Sequence, residues 1–442
     1  MSGDYYLALG QGRKRYFSLP AGWEAVRGDG GTEVTATVPA GRMARDALLK
    51  PARGAPLADI VAGAKKVAVI VDDATRPTPV AHILEVLLPY LGENGCSRDR
   101  ITIVIALGTH RRLDEEGLEA RLGPEVVSGY TVVQHNAWQD DLVPVVVPGE
   151  ERPVRVNPQV AAADVRIGIS SILPHPMAGY GGGPKILVPG VCDFEFIRSH
   201  HMRLTLDPRS RAGLAEGNPF LEACMRIARA IGLDFSLDCV YDREGRLVRI
   251  IGGSLEGAFA EAVDACFRLL GERFEEKVDV TITSTYPHTH GIQFSKGLTA
   301  PDVITADTGA ILAVAPLTTP IPADFLEVMA GIREKTRGKP APYIRRIMSE
   351  GMTFVTDKSV EFNMAMYALI CRPPIRTILV SPAISEGDAR MMGLEHAPSL
   401  DEGLTTLGKA YRKARVAVFP SGGLIIPITS WGGGVESPLR RR

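Results

Sequence analysis

The stretch KKVAVIVDDATRPTP, residues 65–79, is the part of the chain that decides the fold class. Its centre is a run of small and β-branched apolar residues with no polar alternation, which is typical of a strand buried on both faces of a sheet. A polar loop follows, and the apolar spacing of VAHILEVLLPYL, residues 80–91, predicts a helix after that loop. The order strand, polar loop, helix is the repeating unit of a parallel α/β sheet.

The same unit recurs further along the chain. RITIVIALGTHRR (100–112) precedes the helical pattern LDEEGLEARLG, and ADVRIGISSIL (163–173) runs into PHPMAGYGGGPKILVPG (174–190). In parallel sheets, ligands bind outside the carboxyl ends of the strands. We therefore expect the loops DDATRP, GTHR and PHPMAGYGGGPK to line one rim of the sheet.

A second series of apolar strands begins near residue 275, with EKVDVTITSTYP, GAILAVAP, RTILVSPAIS and ARVAVFPSGG. At 442 residues the chain is also long for a single core. We predict two α/β domains with mainly parallel sheets, at 1–274 and 275–415, and a C-terminal segment at 416–442. FRLLGERFEEK (267–277) is predicted as a helix across the boundary, and the active cleft is expected between the domains.

Composition narrows the class of protein. The net charge of −1, without an acidic or basic tail, gives no electrostatic case for a nucleic-acid or membrane partner. The N-terminus has no apolar core of signal-peptide length. Six scattered cysteines with no C-x-x-C pair indicate a reduced, cytoplasmic protein with buried thiols.

The glycine-rich loop poses the chemical question, because a single lysine, Lys185, ends its GGGPK run. A Walker A loop needs Ser or Thr after the lysine, and this chain has isoleucine. A pyridoxal-phosphate lysine and a tight surface turn with a solvated lysine stay open. The nearness of His175, His200 and His201 in sequence favours a functional site over the surface turn.

Five motifs in this order, DDATRPTP, GTHR, PHPMAGYGGGPKILVPG, the histidine pair and QFSKG, resemble the lactate racemase family. The resemblance extends from about residue 60 to FPSGGLIIP at 419–427. It implies a two-domain α/β racemase that uses a nickel-pincer nucleotide, the Ni(II)-pyridinium-3,5-bisthiocarboxylic acid mononucleotide. In the family, one arm of this cofactor is joined to a lysine and a histidine completes the nickel site. The resemblance also implies cofactor-synthesis enzymes as partners during maturation.

Carried over by motif, the resemblance assigns a role to each candidate residue. Lys185 resembles the attachment lysine, and His201 matches the nickel ligand by spacing, with His200 as second choice. The acid/base residues would be His110 and His175, the cofactor segment Asp73, Ala74, Thr75 and Arg76, and the substrate-binding group Arg76, Gln293 and Lys296.

The chemistry of 2-hydroxy acids fits these residue types. Removing the C2 proton is difficult beside a carboxylate, whereas removing hydride while a base takes the hydroxyl proton yields a neutral ketone, provided that an electron-poor acceptor is present. Two histidines with pKa values near neutrality suit the proton transfers for the two orientations of the ketone. Arg76 can hold the carboxylate by a bidentate pair of hydrogen bonds.

Structural roles remain open for the same side chains. His110 could cap the next helix, His175 could be a rigid turn residue, and Asp73 and Thr75 could cap a helix opened by Pro77. Gln293 and Lys296 could lie on a solvated helix face. Met364 and Met366 are expected in the core.

The second half departs from the family's lactate-handling members in YPHTHGIQFSKG, where His288 and His290 stand in place of an apolar residue and aspartate. Phe362 falls near a position where tryptophan is common. We therefore predict a racemase or epimerase acting at C2 of a 2-hydroxy acid larger or more polar than lactate, with His288 and His290 binding the substrate. Lactate racemase proper, a phosphate- or nucleotide-dependent transferase and a non-catalytic cofactor carrier are the alternatives.

Overall fold

Two six-stranded sheets organise the chain in the computed structural model, which describes residues 4–28 and 38–431. The first sheet is parallel except for one antiparallel edge strand. Its strands, in spatial order, are Leu247–Gly253, Phe235–Tyr241, Val165–Ile172, Val67–Asp72, Ile101–Ala106 and Thr131–Gln134.

The second sheet is parallel throughout. Its strands, in spatial order, are Glu395–His396, Arg376–Val380, Thr305–Val314, Val278–Ser284, Ala414–Phe419 and Trp23–Ala25. The predicted α/β class with mainly parallel sheets is therefore confirmed. Each strand predicted from an apolar run is present, although Thr305–Val314 begins four residues before its predicted stretch, GAILAVAP (309–316).

Helices connect the strands and cover the sheets. They are Ala40–Leu49, Leu57–Val61, Val80–Glu93, Glu115–Leu122, Pro124–Gly129, Pro158–Ala161, Phe194–Leu204, Pro219–Ile231, Leu255–Leu270, Thr299–Ile304, Ala323–Lys335, Pro340–Ser349, Val360–Ile370, Glu386–Met392 and Leu400–Ala410. Short 3₁₀ helices lie at Arg98–Arg100, Gly183–Ile186, Gly291–Leu298 and Gly422–Leu424. Two-stranded pairings join Tyr5–Ala8 to Lys14–Phe17, Val143–Val145 to Val154–Val156, Pro174–His175 to Gly179–Tyr180, and Gly271–Arg273 to Ile426–Ile428.

The predicted helix at 267–277 is wrong in its second half. The helix ends at Leu270, and Gly271–Arg273 forms a short strand that pairs with Ile426–Ile428. A Cβ atom at Gly271 would lie 2.6 Å from the carbonyl oxygen of Phe267, so this glycine allows the chain to leave the helix closely packed.

The order of the strands bears on the predicted domains. The first sheet uses residues 67–253, whereas the second uses 278–419 together with Trp23–Ala25 from the N-terminal region. Residues 432–442 of the predicted C-terminal segment lie outside the described residues. The division at residue 275 stays a prediction.

Both faces of the first sheet are buried, as its apolar strands predict. Val69 and Ile103 belong to the apolar cluster on one face, whereas Ile70 and Val104 belong to a cluster on the other face. That second cluster also contains Ile311 from the second sheet, so one core joins the two sheets.

The cysteines and the helices agree with this picture of an apolar interior. All six cysteines are free, and all but the half-buried Cys371 are buried.

Within residues 4–28 and 38–431, none of the helices is long and apolar enough to cross a membrane.

Arg121 fixes the loop that follows the strand Val67–Asp72. Its buried guanidinium donates from Nε to the carbonyl oxygen of Asp72 at 3.0 Å and from Nη1 to that of Thr78 at 2.8 Å. A third bond reaches the carbonyl oxygen of Arg76 at 3.2 Å, and Nη2 pairs with the Asp72 carboxylate. One side chain thus sets the path of the whole loop.

Replacing Arg121 with methionine is expected to lower the free energy of unfolding by about 3–5 kcal/mol, because the buried Asp72 carboxylate loses its partner. Urea denaturation measures this change. Arg45→Met, on the exposed face of the helix Ala40–Leu49, is the matched control and should change stability by less than about 0.5 kcal/mol. Equal effects of the two substitutions would contradict the role given to Arg121.

Candidate active site

The three loops predicted to share one rim do meet there. A cavity of about 650 Å³ is lined by side chains from all three loops, from the helix Phe194–Leu204 and from the second half of the chain. Gly108 N donates to the carbonyl oxygen of Gly190 at 2.9 Å, which ties the GTHR loop to the end of the glycine-rich loop. The predicted site residues that line the cavity are Asp73, Arg76, His110, His175, Lys185, His201, Gln293 and Lys296.

Asp73 and His110 form a hydrogen-bonded pair across two of these loops. Asp73 Oδ2 lies 2.5 Å from His110 Nδ1, while Asp73 Oδ1 accepts from the backbone N of Thr75 at 2.7 Å. Burial opposes the charge on His110, but the carboxylates of Glu361 and Asp73 outweigh it and raise the pKa of His110. With Nδ1–H donated to Asp73, the Nε2 atom of His110 is the one that can exchange a proton with a ligand.

His175 lies in the opposite electrostatic environment. It is buried in the short pairing of Pro174–His175 with Gly179–Tyr180, where its Nδ1 accepts from the backbone N of Ala178 at 3.1 Å. Burial lowers the pKa of His175 well below its usual value, and the charges of Lys185, Lys296 and Arg76 lower it further. His175 is therefore a neutral imidazole whose remaining N–H, at Nε2, is a hydrogen-bond donor.

Lys185 is a buried lysine rather than a solvated turn residue. It lies in the 3₁₀ helix Gly183–Ile186, and its ammonium group lies 4.8 Å from the centre of the Phe220 ring. Burial lowers the pKa of Lys185 to about 8. A Cβ atom at Gly182, where φ is +69°, would lie 2.5 Å from the carbonyl oxygen of Ser171, so the loop packs too closely for any other residue there. The result is an amine with enhanced nucleophilicity on a rigid loop.

His201 faces the cavity, whereas His200 does not line it. The Nδ1 atom of His201 lies 2.9 Å from the carbonyl oxygen of Ile197, one turn earlier in the same helix. This bond requires the proton on Nδ1 and leaves a lone pair on Nε2, which is the arrangement of a metal-binding histidine. His200 instead lies with Nε2 3.8 Å from Cys224 Sγ, and its buried Nδ1 has no hydrogen-bond partner among the described residues.

Gln293 and Lys296 reach the cavity from the 3₁₀ helix Gly291–Leu298, which is mostly buried rather than a solvated helix face. Gln293 Nε2 donates a hydrogen bond to Glu361 Oε1. Burial lowers the pKa of Lys296 to about 7, the charge of Arg76 adds to this, and Glu361 opposes it. Arg76, Lys185 and Lys296 are among the basic side chains of the cavity wall, and such groups suit anionic ligands.

The other predicted site residues are not among the described residues that line the cavity. Ala74 is exposed, and Thr75 acts on the site only by orienting Asp73. His288 packs against Gly423, although the charges of Lys296 and Arg76 still contribute, after burial, to lowering its pKa. An isolated β-bridge pairs His290 with Thr319, so the backbone of His290 lies against the segment that contains Thr319.

Phe362 also points elsewhere. Its ring packs at 5.0 Å, in a T-shaped arrangement, against Phe325 in the core, and Phe362 does not line the cavity. Met364 and Met366 are both buried in the core as expected, and Met364 also lines the cavity.

Asp73, Thr75 and His110 do not cap the helices that follow their loops. The helix after the first loop begins at Val80, with Pro79 rather than Asp73 or Thr75 at its N-cap position. The next helix is capped by Asp114, which accepts from Gly117 N at 2.9 Å, so His110 has no capping role there.

Glu361 is the main site residue that the sequence analysis missed. It lies in the first turn of the helix Val360–Ile370 and lines the cavity, with Oε2 3.7 Å from His110 Nε2. The available signal was a carboxylate two residues after Ser359, in the first turn of an apolar helix. Among the described residues, no group of three or more His, Cys, Asp or Glu side chains could hold a metal ion by itself.

Fold and site together define a class: an α/β protein with two parallel sheets and a cavity that combines two differently tuned histidines, a buried lysine and several basic groups. Residues 30–213 match the lactate racemase N-terminal domain. This part of the chain, which is less than half of its length, is therefore similar to the lactate racemase family.

Comparison with individual proteins agrees with the family. Lactate racemase from Thermoanaerobacterium thermosaccharolyticum is 28% identical over 276 residues, or 61% of this chain and 64% of that protein. Lactate racemase from Lactiplantibacillus plantarum is 26% identical over 59% of this chain and 62% of that protein. Each alignment thus spans slightly less than two thirds of the relative's length.

Comparison with solved structures supports the fold. The lactate racemase apoprotein from Thermoanaerobacterium thermosaccharolyticum superposes with a TM-score of 0.80 at 22% identity, covering 96% of this chain and 99% of that one. A protein from Thermotoga maritima superposes with a TM-score of 0.60 at 18% identity, over 85% and 96% of the two chains.

Replacing Asp73 with asparagine should lower the pKa of His110, because the imidazolium loses the carboxylate to which Nδ1–H donates. Titration of ring-labelled histidines by NMR measures this pKa, with His110→Gln used to assign the signal. His82, on the helix Val80–Glu93 and away from the cavity lining, is the internal control. An unchanged His110 titration in Asp73→Asn would contradict the pairing.

Proposed function

We propose that the protein is an isomerase that inverts C2 of a 2-hydroxy acid, as a racemase or epimerase dependent on a nickel-pincer nucleotide. The observation that carries the proposal is the meeting of His110, His175, Lys185 and His201 at one cavity with the basic side chains of Arg76 and Lys296. A reduced, cytoplasmic setting and maturation by cofactor-synthesis enzymes belong to the same proposal.

The residues present fit the cofactor. His201 offers an unprotonated Nε2 towards the cavity, and one such donor suffices for a metal whose other ligands belong to the cofactor. Lys185, with its pKa lowered to about 8, is partly neutral near neutral pH and would hold a thiocarboxylic arm of the cofactor through a covalent bond from Nζ, formed with loss of water so that the sulfur is kept for the metal. When bound, the cofactor would supply an electron-poor acceptor for the hydride of C2.

The chain's own residues would bind the substrate and move its hydroxyl proton. Lys296 and Arg76 would hold the C1 carboxylate, with an N–H of Gln293 in support. His110 Nε2 would take the hydroxyl proton, because its partner Asp73 stabilises the imidazolium that forms. His175 would serve the other orientation of the keto intermediate.

Charge neutralisation would prepare His175 for that role. After burial, the largest cause of its lowered pKa is the charge of Lys185, followed by those of Lys296 and Arg76. Acylation would remove the charge of Lys185, and anionic groups of the ligands would pair with the other two. Each of these changes raises the pKa of His175 towards the range in which it can donate a proton.

The proposal separates this function from two alternatives. A phosphate- or nucleotide-dependent transferase would use the glycine-rich loop, but that loop lacks the hydroxyl residue that binds magnesium, and it encloses Lys185 beside Phe220. A non-catalytic cofactor carrier would not need the pair of Asp73 with His110. Chiral chromatography of lactate, malate and gluconate incubated with protein loaded by the cofactor-synthesis enzymes tests the function, and no inversion of any 2-hydroxy acid in a broad panel would refute it.

The attachment and metal-binding residues are distinguished by mass and nickel content. Protein co-produced with the cofactor-synthesis enzymes should gain mass, and Lys185→Ala should lack this gain. His201→Ala should lose nickel, whereas His200→Ala, the neighbouring control, should retain it. Modification of the Lys185→Ala protein, or nickel loss in His200→Ala alone, would show that these assignments are wrong.

The histidine pair is tested by turnover. His110→Gln and His175→Gln should each lower kcat by roughly 10²–10⁴-fold, the usual contribution of a general acid or base, with nickel content unchanged. His135→Gln is a control, since this buried histidine lies with Nε2 2.9 Å from the carbonyl oxygen of Cys192 and does not line the cavity. Near-full activity of both site variants would make these histidines structural.

A further inference from the structure

Glu361 connects the groups expected to hold C1 and C2 of the substrate. Its Oε1 accepts from Gln293 Nε2, and its Oε2 lies 3.7 Å from His110 Nε2. Ser359 caps the helix that carries it, accepting from Phe362 N at 3.2 Å, so the carboxylate stands on a defined first turn. A negatively charged group therefore lies next to Gln293, whose amide is expected to bind the C1 carboxylate, and next to His110, the proposed proton acceptor.

We propose that Glu361 selects the substrate: it accepts a hydrogen bond from a hydroxyl group at C3 or beyond of a 2-hydroxy monoacid, and it disfavours a second carboxylate. This inference rests on the proposed function. It chooses polyhydroxy monoacids of the sugar-acid type over hydroxy-diacids and over lactate.

The geometry follows from where the reacting groups must bind. The C2 hydroxyl has to reach His110 Nε2, the atom that Glu361 already approaches, and the C1 carboxylate has to reach Lys296 and Gln293. The substituent on C2 then lies beside the Glu361 carboxylate. A hydroxyl there gives the carboxylate a donor, whereas the methyl group of lactate gives it none.

The charges decide between a hydroxyl and a second carboxylate. Glu361 raises the pKa of both His110 and Lys296, so it already pairs with the cations that face it. A second carboxylate at C3 or C4 would meet Glu361 at close range, and like charges placed together in an enclosed site are a strong negative determinant of specificity. The cavity of about 650 Å³ has space for a longer chain.

The ratio of kcat/KM for gluconate to that for malate tests the proposal on the loaded protein. Glu361→Gln removes the charge with little change of shape, and it should lower this ratio on the order of 100-fold, about tenfold from weaker gluconate binding and about tenfold from better acceptance of malate. Any effect of the substitution on His110 acts on all substrates and cancels in the ratio. Lactate, which lacks both groups, serves as the neutral reference.

Glu327→Gln is the matched control, because Glu327 is an exposed carboxylate on the helix Ala323–Lys335 that does not line the cavity. It should leave the ratio unchanged. Thermal melting followed by circular dichroism verifies that both variants fold. An unchanged ratio in Glu361→Gln, or a preference of the wild type for malate over gluconate, would overturn the proposal.

Failure of the proposed function gives a different result. In that case the loaded wild type inverts none of the three acids, and calorimetric binding decides the role of Glu361. The proposal then requires that the wild type bind gluconate more tightly than malate and that Glu361→Gln abolish this difference. Equal affinities in the wild type would overturn it.

Discussion

The hydrogen bond between His110 and Asp73 joins two loops that leave neighbouring strands, and the proton chemistry of the cavity depends on it. It directs the free nitrogen of His110 into the cavity and stabilises its charged form against the effect of burial. The bond exists because the loops are held in place: Arg121 fixes the backbone from Asp72 to Thr78, and Gly108 is tied to Gly190. The hydrogen bond therefore depends both on the charge of Asp73 and on the backbone path of the two loops.

Burial gives the other ionisable groups their properties. Burial lowers the pKa values of His175, Lys185 and Lys296. The carboxylates of Glu361 and Asp73 instead raise the pKa of His110. One cavity thus holds a histidine with a raised pKa, a histidine with a lowered pKa and two lysines with lowered pKa values. Ionisable groups whose pKa values are shifted in opposite directions within one site are typical of functional centres.

Much of this arrangement could be predicted from the sequence because it depends on local patterns. Apolar runs identified the strands, and parallel topology implied that DDATR, GTHR and the glycine-rich loop share one rim. The resemblance to the lactate racemase family indicated His201 as the nickel ligand. In the helix, the hydrogen bond from His201 Nδ1 to the carbonyl oxygen of Ile197, one turn earlier, leaves Nε2 free to bind a metal. Gly182, required by its close approach to Ser171, was visible as part of a glycine run.

The missed and misplaced residues depend on contacts between distant segments. Glu361 reaches His110 and Gln293 across the cavity, and no spacing in one sequence encodes that approach. His288 and Phe362 stand next to site residues in sequence, yet one packs on Gly423 and the other on Phe325. The strand Trp23–Ala25 joins the second sheet by pairing with Ala414–Phe419, which lies near the other end of the chain. A pairing between segments so distant in sequence leaves no local signal.

In the proposed hydride transfer, the hydrogen on C2 stays within the site during inversion. Proton NMR in D₂O tests it most directly, with the loaded protein and one C2 stereoisomer each of gluconate, malate and lactate. Hydride transfer predicts inversion of at least one of these acids with ordinary hydrogen, not deuterium, at C2 of the product. Deuterium at C2 would instead show that a proton is removed to solvent, and it would rule out hydride transfer.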